Sequence, residues 1–209
     1  LDCKTWQDWV DIYKRLVHWE LELSATDSSM TEMLQMQKED ANNGFAKFVK
    51  KNYLQWLETR GEKIENSKKA DSDLPPLLSP DIFKTNVFPL LNEGKKVFLV
   101  VLDNFRYDQW RMLAGELSEQ FDIDESLYFS ILPTATQYAR NAIFSGLMPN
   151  KIAELFPDLW VDEDEEEGKN LNEELLIHTQ LERYRRKNTF SYHKINSQAE
   201  ADKLLQQFR

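Results

Sequence analysis

The run from Lys95 to Asp103 limits the folds open to this chain more than any other stretch. Val97 to Leu102 is continuously apolar and rich in β-branched residues, with no polar alternation, and it is too short for a typical helix. Such a run predicts a strand buried on both faces of a parallel sheet. An acid placed directly after it, Asp103, falls at the carboxyl edge of that sheet, where open α/β folds bind their ligands. A second apolar run, Leu127 to Leu132, ends at Pro133 and gives way to Thr134, Thr136 and a helical pattern. One acidic and one hydroxylic position are therefore expected on the same sheet edge, which is the shape of a hydrolytic site.

Ahead of this core, Trp6, Trp9, Val10, Tyr13, Leu16 and Val17 follow helical spacing, so residues 4 to 24 read as an amphipathic helix. A second helical pattern carries Met30, Met33, Leu34, Ala41, Phe45, Phe48, Tyr53 and Trp56, and Asn42, Asn43 and Gly44 either kink it or split it. Residues 1 to 60 thus predict a helical bundle or hairpin, whose Trp and Met residues are explained by spacing alone as core or helix-partner surface. His18 has no ligand partner on its face and reads as a surface or boundary histidine. Residues 61 to 78, polar and then rich in proline, form a linker. Ser79, Pro80 and Asp81 supply helix-start chemistry, so a helix begins there, is disturbed at Pro89 and ends near Gly94.

Further helices are predicted from about Arg106 to Leu117, over 136 to 145 with Gly146 and Pro149 ending it, from Asn172 to Arg186, and from Gln198 to Phe208. Thr189 to Ile195 is a candidate third strand. The alternation of strand and helix predicts an α/β domain over residues 79 to 209 with a parallel sheet and right-handed crossovers.

The formal charge of −10 is concentrated, because Asp158 to Glu174 contains nine acids and one Lys. The six acids from Asp162 to Glu167 read as a solvated loop. An acidic chain without a basic stripe argues against duplex DNA as its main partner, while a nucleotide substrate stays open because a metal can supply positive charge locally. The single Cys3 excludes an internal disulfide and suits a reducing compartment. With no apolar run long enough to span a bilayer and no leader pattern, the expected location is the cytoplasm. The chain opens without Met, inside a helical pattern, as if excised from something longer.

A hydroxyl at a helix start is well placed to attack phosphorus, since the exposed N–H groups and the helix dipole favour an alkoxide and phosphate oxygens. The competing reading makes Thr134 or Thr136 an N-cap and Asp103 the start of a turn. Taken together, the strand ending in Asp103, the 103 to 109 segment that follows, Pro133 to Arg140 and Ser145 to Pro149 resemble the alkaline phosphatase superfamily, specifically its PglZ branch. The helical segment ahead of it is similar to the middle of a PorX-type response regulator, a family tied to type IX secretion.

The resemblance implies a zinc-dependent phosphohydrolase, a nucleotide phosphodiesterase. It implies Asp103 as a metal ligand, and Thr136 as both a zinc ligand and the group transiently phosphorylated between two metals. Arg106 and Arg140 become candidates for phosphate contact, against the alternative that each pairs with a nearby acid such as Asp108; Asn104 is a weaker candidate. The superfamily's later Asp-His ligand pair has no match here, because Ile177 and Tyr192 precede His178 and His193. The remaining ligands are therefore expected beyond residue 209, leaving this chain catalytically incomplete by itself.

The alternative function is a signalling, dimerisation and partner-binding module without catalysis, with a homodimer, a histidine kinase or other regulators as partners. A bare nucleotide-binding domain is disfavoured, because no Gly-x-Gly or Walker-type loop is present.

Overall fold

Thr5 and Asp8 set the start of the first helix. In the computed structural model, which describes residues 2–23, 28–60, 74–161 and 170–207, the Asp8 carboxylate accepts the N–H groups of Lys4 and Thr5 at 2.8 Å each. Thr5 Oγ1 in turn accepts the Asp8 N–H at 3.2 Å. This reciprocal capping satisfies donors that a helix start leaves open, and α1 runs over Trp6–Leu23. The order continues with α2 (Ser28–Thr59), a 3₁₀ turn (Ser79–Asp81), a π-helical turn (Phe83–Val87), α3 (Phe88–Asn92) and α4 (Tyr107–Leu117). It ends with α5 (Thr136–Ser145), α6 (Pro149–Leu155), a 3₁₀ turn (Pro157–Leu159), α7 (Glu173–Arg183) and α8 (Gln198–Gln207). By packing, these elements form two units: Leu1–Leu77 with Val100–Phe129, and Leu78–Leu99 with Ser130–Arg209.

The first unit is built on aromatic packing between α1 and α2. Trp9 and Trp56 are buried together with Val17, Leu34 and Ala41. The Trp9 ring meets Phe45 at 5.6 Å and Phe48 at 6.0 Å, while Trp56 meets Phe48 at 5.8 Å and Phe129 at 5.4 Å. Such tilted contacts suit the ring quadrupoles. Of the two alternatives, a split is excluded, because α2 runs as one helix through Asn42, Asn43 and Gly44. The glycine serves packing instead, since a Cβ at Gly44 would lie 2.7 Å from Trp9 Cη2. The α4 helix packs on α1 in the same unit.

The second unit has an apolar core of Phe83, Val87, Phe88, Ile143, Phe144, Ile152, Leu176, Ile177 and Leu181. The pair α5 and α7 forms its centre. Leu78 N–H donates to Asp81 Oδ2 at 3.0 Å, so the predicted helix start is present, but it opens as a 3₁₀ turn. The next turn is π-helical because Pro89 has no N–H to give Thr85, and its ring crowds that carbonyl. At the other end of α5, Gly146 adopts φ 65° and its N–H returns to the Ala142 carbonyl at 2.9 Å. Arg183 of α7 donates to the Ser145 carbonyl, satisfying another open acceptor. The Leu132–Pro133 peptide is cis.

The expected parallel sheet is not found: no strand forms among the described residues; Val97–Leu102 and Thr189–Ile195 are irregular, and Leu127–Leu132 holds a single isolated bridge residue, Phe129. Phe98 and Val100 are 77 % and 76 % exposed, the reverse of a strand covered on both faces. Apolar, β-branched sequence makes a segment ready to pair, but a ladder exists only when a second backbone lies about 4.8 Å away. The division between the two units in fact falls inside this run, between Leu99 and Val100. The acidic run 162–167 and residues 61–73 of the expected linker lie outside the described residues. No helix among the described residues is long and apolar enough to cross a membrane.

Candidate active site

Asp103 and Asn104 form an exposed turn between the apolar run and α4. Asn104 takes φ 56°, a left-handed conformation that Asn tolerates better than most non-glycine residues. Arg106 occupies the cap position of α4. Its N–H donates to Gln109 Oε1 at 2.9 Å, and its guanidinium forks onto Asp108, with Nε to Oδ1 at 2.9 Å and Nη2 to Oδ2 at 2.7 Å. The pairing with Arg106 holds the Asp108 carboxyl below its ordinary value.

Behind that turn, Glu125 gathers donors. Its carboxylate accepts the Tyr107 hydroxyl at 2.9 Å and Trp110 Nε1 at 2.8 Å, and Lys14 Nζ of α1 lies at 2.8 Å. Burial alone would raise the Glu125 pKa, but the hydrogen bonds from Lys14, Trp110 and Tyr107 outweigh it and hold the group low. The Tyr107 hydroxyl is pushed up to about 12, first by burial and then by its bond to Glu125.

In the second unit, Thr136 is the first residue of α5 and is half-buried, whereas Thr134 is exposed. The cap position falls on Ala135, so neither threonine is the N-cap. Arg140 lies one turn further along the same face. It donates through Nε to Glu173 Oε1 at 2.7 Å, and its terminal nitrogen pairs with the same oxygen. Glu173 opens α7 and is 1 % exposed. The Tyr192 hydroxyl at 2.5 Å and Lys194 Nζ at 3.3 Å complete its surroundings. Burial and then Glu173 push the Tyr192 hydroxyl pKa upward.

Asp103, Asn104 and Arg106 thus belong to the first unit, and Thr134, Thr136 and Arg140 to the second. Glu125, Glu173, Tyr192 and Lys194 were not among the residues read from sequence, because their partners stand far away along the chain. The one available signal was Glu173 in the first turn of a predicted helix, and it says nothing about burial. For a zinc site the donors are sparse. Among the described residues no group of three or more His, Cys, Asp or Glu comes together, whereas zinc takes about four ligands. These residues do not by themselves close such a site.

With this geometry in hand, comparison with known families defines the class. Residues 82–209 match the family model described as the BREX system PglZ alkaline phosphatase-like domain. The chain belongs to this PglZ family. Residues 1–57 match the PorX response regulator linker domain, so the architecture is that of a PorX-like regulator with a phosphatase-like domain. No curated protein matches the chain.

Proposed function

We propose that this chain serves a response regulator whose PglZ domain hydrolyses phosphoesters, with a nucleotide phosphodiester as the substrate class and Thr136 as the nucleophile. The observation that carries this reading is Thr136 at the first position of α5, inside the PglZ match, with the capping position taken by Ala135. In the reaction, Thr136 gives up its hydroxyl proton as Oγ forms a bond to phosphorus, the ester P–O bond breaks, and the leaving alkoxide takes up a proton. Water then attacks phosphorus and breaks the Thr136 Oγ–P bond, releasing the nucleoside monophosphate while a water proton returns to Oγ. The N-terminus of α5 favours the negative charge that gathers there. Asp103 is the proposed acidic metal ligand, and zinc, when bound, would supply Lewis-acid charge to the phosphoryl oxygens.

Magnitudes separate the two arginines. The Arg106–Asp108 pair lies at the surface, where solvent and salt screen it, so a phosphate can compete for the guanidinium. Arg140 is bound to a buried carboxylate, and stripping such a pair costs about 3–5 kcal/mol. Arg106, with Asn104 beside it, is therefore the better phosphate contact, and Arg140 better serves as a brace for α5.

Zinc-dependent hydrolysis of bis(p-nitrophenyl) phosphate by the full-length protein tests the proposal. Thr136→Ala is expected to lower kcat by a factor of about 10³ or more, as loss of a covalent nucleophile does. Equal turnover by the two proteins would remove Thr136 from the mechanism.

A second reading is a partner-binding module of a signalling pathway, with type IX secretion as its setting. Met30, Met33 and Met36 favour it, because they are 54 %, 64 % and 68 % exposed on α2 and flexible thioethers suit adaptable contacts. Substituting these methionines probes dimerisation better than substituting Trp9 or Trp56, which are core residues.

A further inference from the structure

The family matches and the packing draw different boundaries. α4 lies in the PglZ-matched part of the sequence, yet it packs on α1, which belongs to the linker-domain match. We propose that Glu125 is a positioning residue that ties α4, and with it the turn bearing Asp103, to linker helix α1.

The tie is visible atom by atom. Oε1 of Glu125 is shared by the Tyr107 hydroxyl at 2.9 Å and Lys14 Nζ at 2.8 Å. Oε2 accepts Trp110 Nε1 at 2.8 Å and lies 3.9 Å from Arg111 Nη1. Tyr107, Trp110 and Arg111 are spaced so that they share one face of α4. Lys14 alone comes from α1, so the carboxylate bridges the two helices rather than bracing one. The Tyr13 and Tyr107 rings, 5.5 Å apart, add an apolar contact between the same helices.

The chain between this bridge and Asp103 is short. Only Asn104, Phe105 and Arg106 separate Asp103 from the first residue of α4. Arg106 is fixed to Gln109 and Asp108, and Asn104 is held in a left-handed conformation that few alternatives share. A displacement of α1 therefore carries α4 with it, and α4 carries the Asp103 turn. This gives a linker helix direct mechanical access to a carboxylate of the phosphatase-like domain. The functional half of the inference rests on the proposed role of Asp103; the mechanical half does not.

Amide hydrogen exchange on the full-length protein separates them, using Glu125→Gln, Lys14→Met, the double variant and Asp103→Asn. Glu125→Gln and Lys14→Met should each speed exchange of the hydrogen-bonded α4 amides, residues 110–117, by about tenfold, because local opening is set by the contacts that hold the element. The double variant should add little to Glu125→Gln alone, since Lys14 acts through Glu125. Exchange in α5 and α7 should not change. Hydrolysis of bis(p-nitrophenyl) phosphate should fall in kcat with little change in KM. Unchanged exchange at 110–117 in both single variants overturns the tie, whatever the activity. Faster exchange together with full activity of Asp103→Asn leaves the tie standing and removes Asp103 from the site.

Discussion

At the scale of single residues, Gly146 shows how one position answers two demands. Its φ of 65° lies in the left-handed region, where a glycine avoids about 1 kcal/mol of strain. A Cβ there would also run into the amide of Gln180, which is fully buried. Gly146→Ala should therefore destabilise the second unit by roughly 2–4 kcal/mol, the sum of left-handed strain and overpacking. Urea denaturation followed by exchange of the α5 and α7 amides measures this, and a loss under 1 kcal/mol would show that Gln180 moves aside freely. The turn role of Gly146 was legible in the sequence, because a glycine at the end of a helical pattern predicts a left-handed stop. The approach of Gln180 was not, since it belongs to a helix far along the chain.

At the scale of elements, the sequence located most helices to within a few residues. α1 was read as 4 to 24 and spans Trp6–Leu23, and α5 was read as 136 to 145 and spans Thr136–Ser145. Helices carry their own hydrogen bonds and announce themselves by local periodicity. The strands failed for the complementary reason, since their hydrogen bonds come from other segments. Side-chain partners divide in the same way. Arg106 pairs with Asp108, two residues away and foreseeable, whereas Arg140 pairs with Glu173 across a fold that had to form first. That second pair welds α5 to α7. Arg140→Met should cost about 3 kcal/mol, because it leaves a buried carboxylate with only Tyr192 and Lys194. Equilibrium unfolding compares it with Arg106→Met, which should leave the stability almost unchanged because its pair is solvent-screened. Equal effects would mean that Glu173 is solvated once Arg140 is gone.

For the whole molecule, charge is the property most unevenly placed. Asp8, Asp108 and Glu125 all have carboxyl pKa values below the ordinary range, and all belong to the first unit. Asp8 is lowered chiefly by the Thr5 N–H and Asp108 by Arg106; at Glu125 burial opposes the shift and the donors prevail. A carboxyl whose folded pKa lies below its unfolded value contributes its stabilisation above that unfolded value, about 4, and loses it as pH falls through the folded one. Five of the six Trp residues, all but Trp160, lie in the first unit, so tryptophan fluorescence reports mainly on it. Its denaturation midpoint should hold steady from pH 7 to about 5.5 and drop below about pH 4. The drop should be smaller in Glu125→Gln, and a midpoint indifferent to acid would mean the three carboxylates contribute nothing net.

By itself, the sequence determined the helical front segment, the places of most helices though not of α6, whose first residue, Pro149, was read as a helix end, and the family. Each of these is written in local periodicity, capping chemistry or a short motif, where cause and effect lie within a few residues. The tertiary structure alone decided that α4 packs on the linker helix, that Glu125 and Glu173 become hubs, and that Arg140 is engaged while Arg106 stays at the surface. Those outcomes depend on which distant groups share a desolvated space, and no local pattern encodes that.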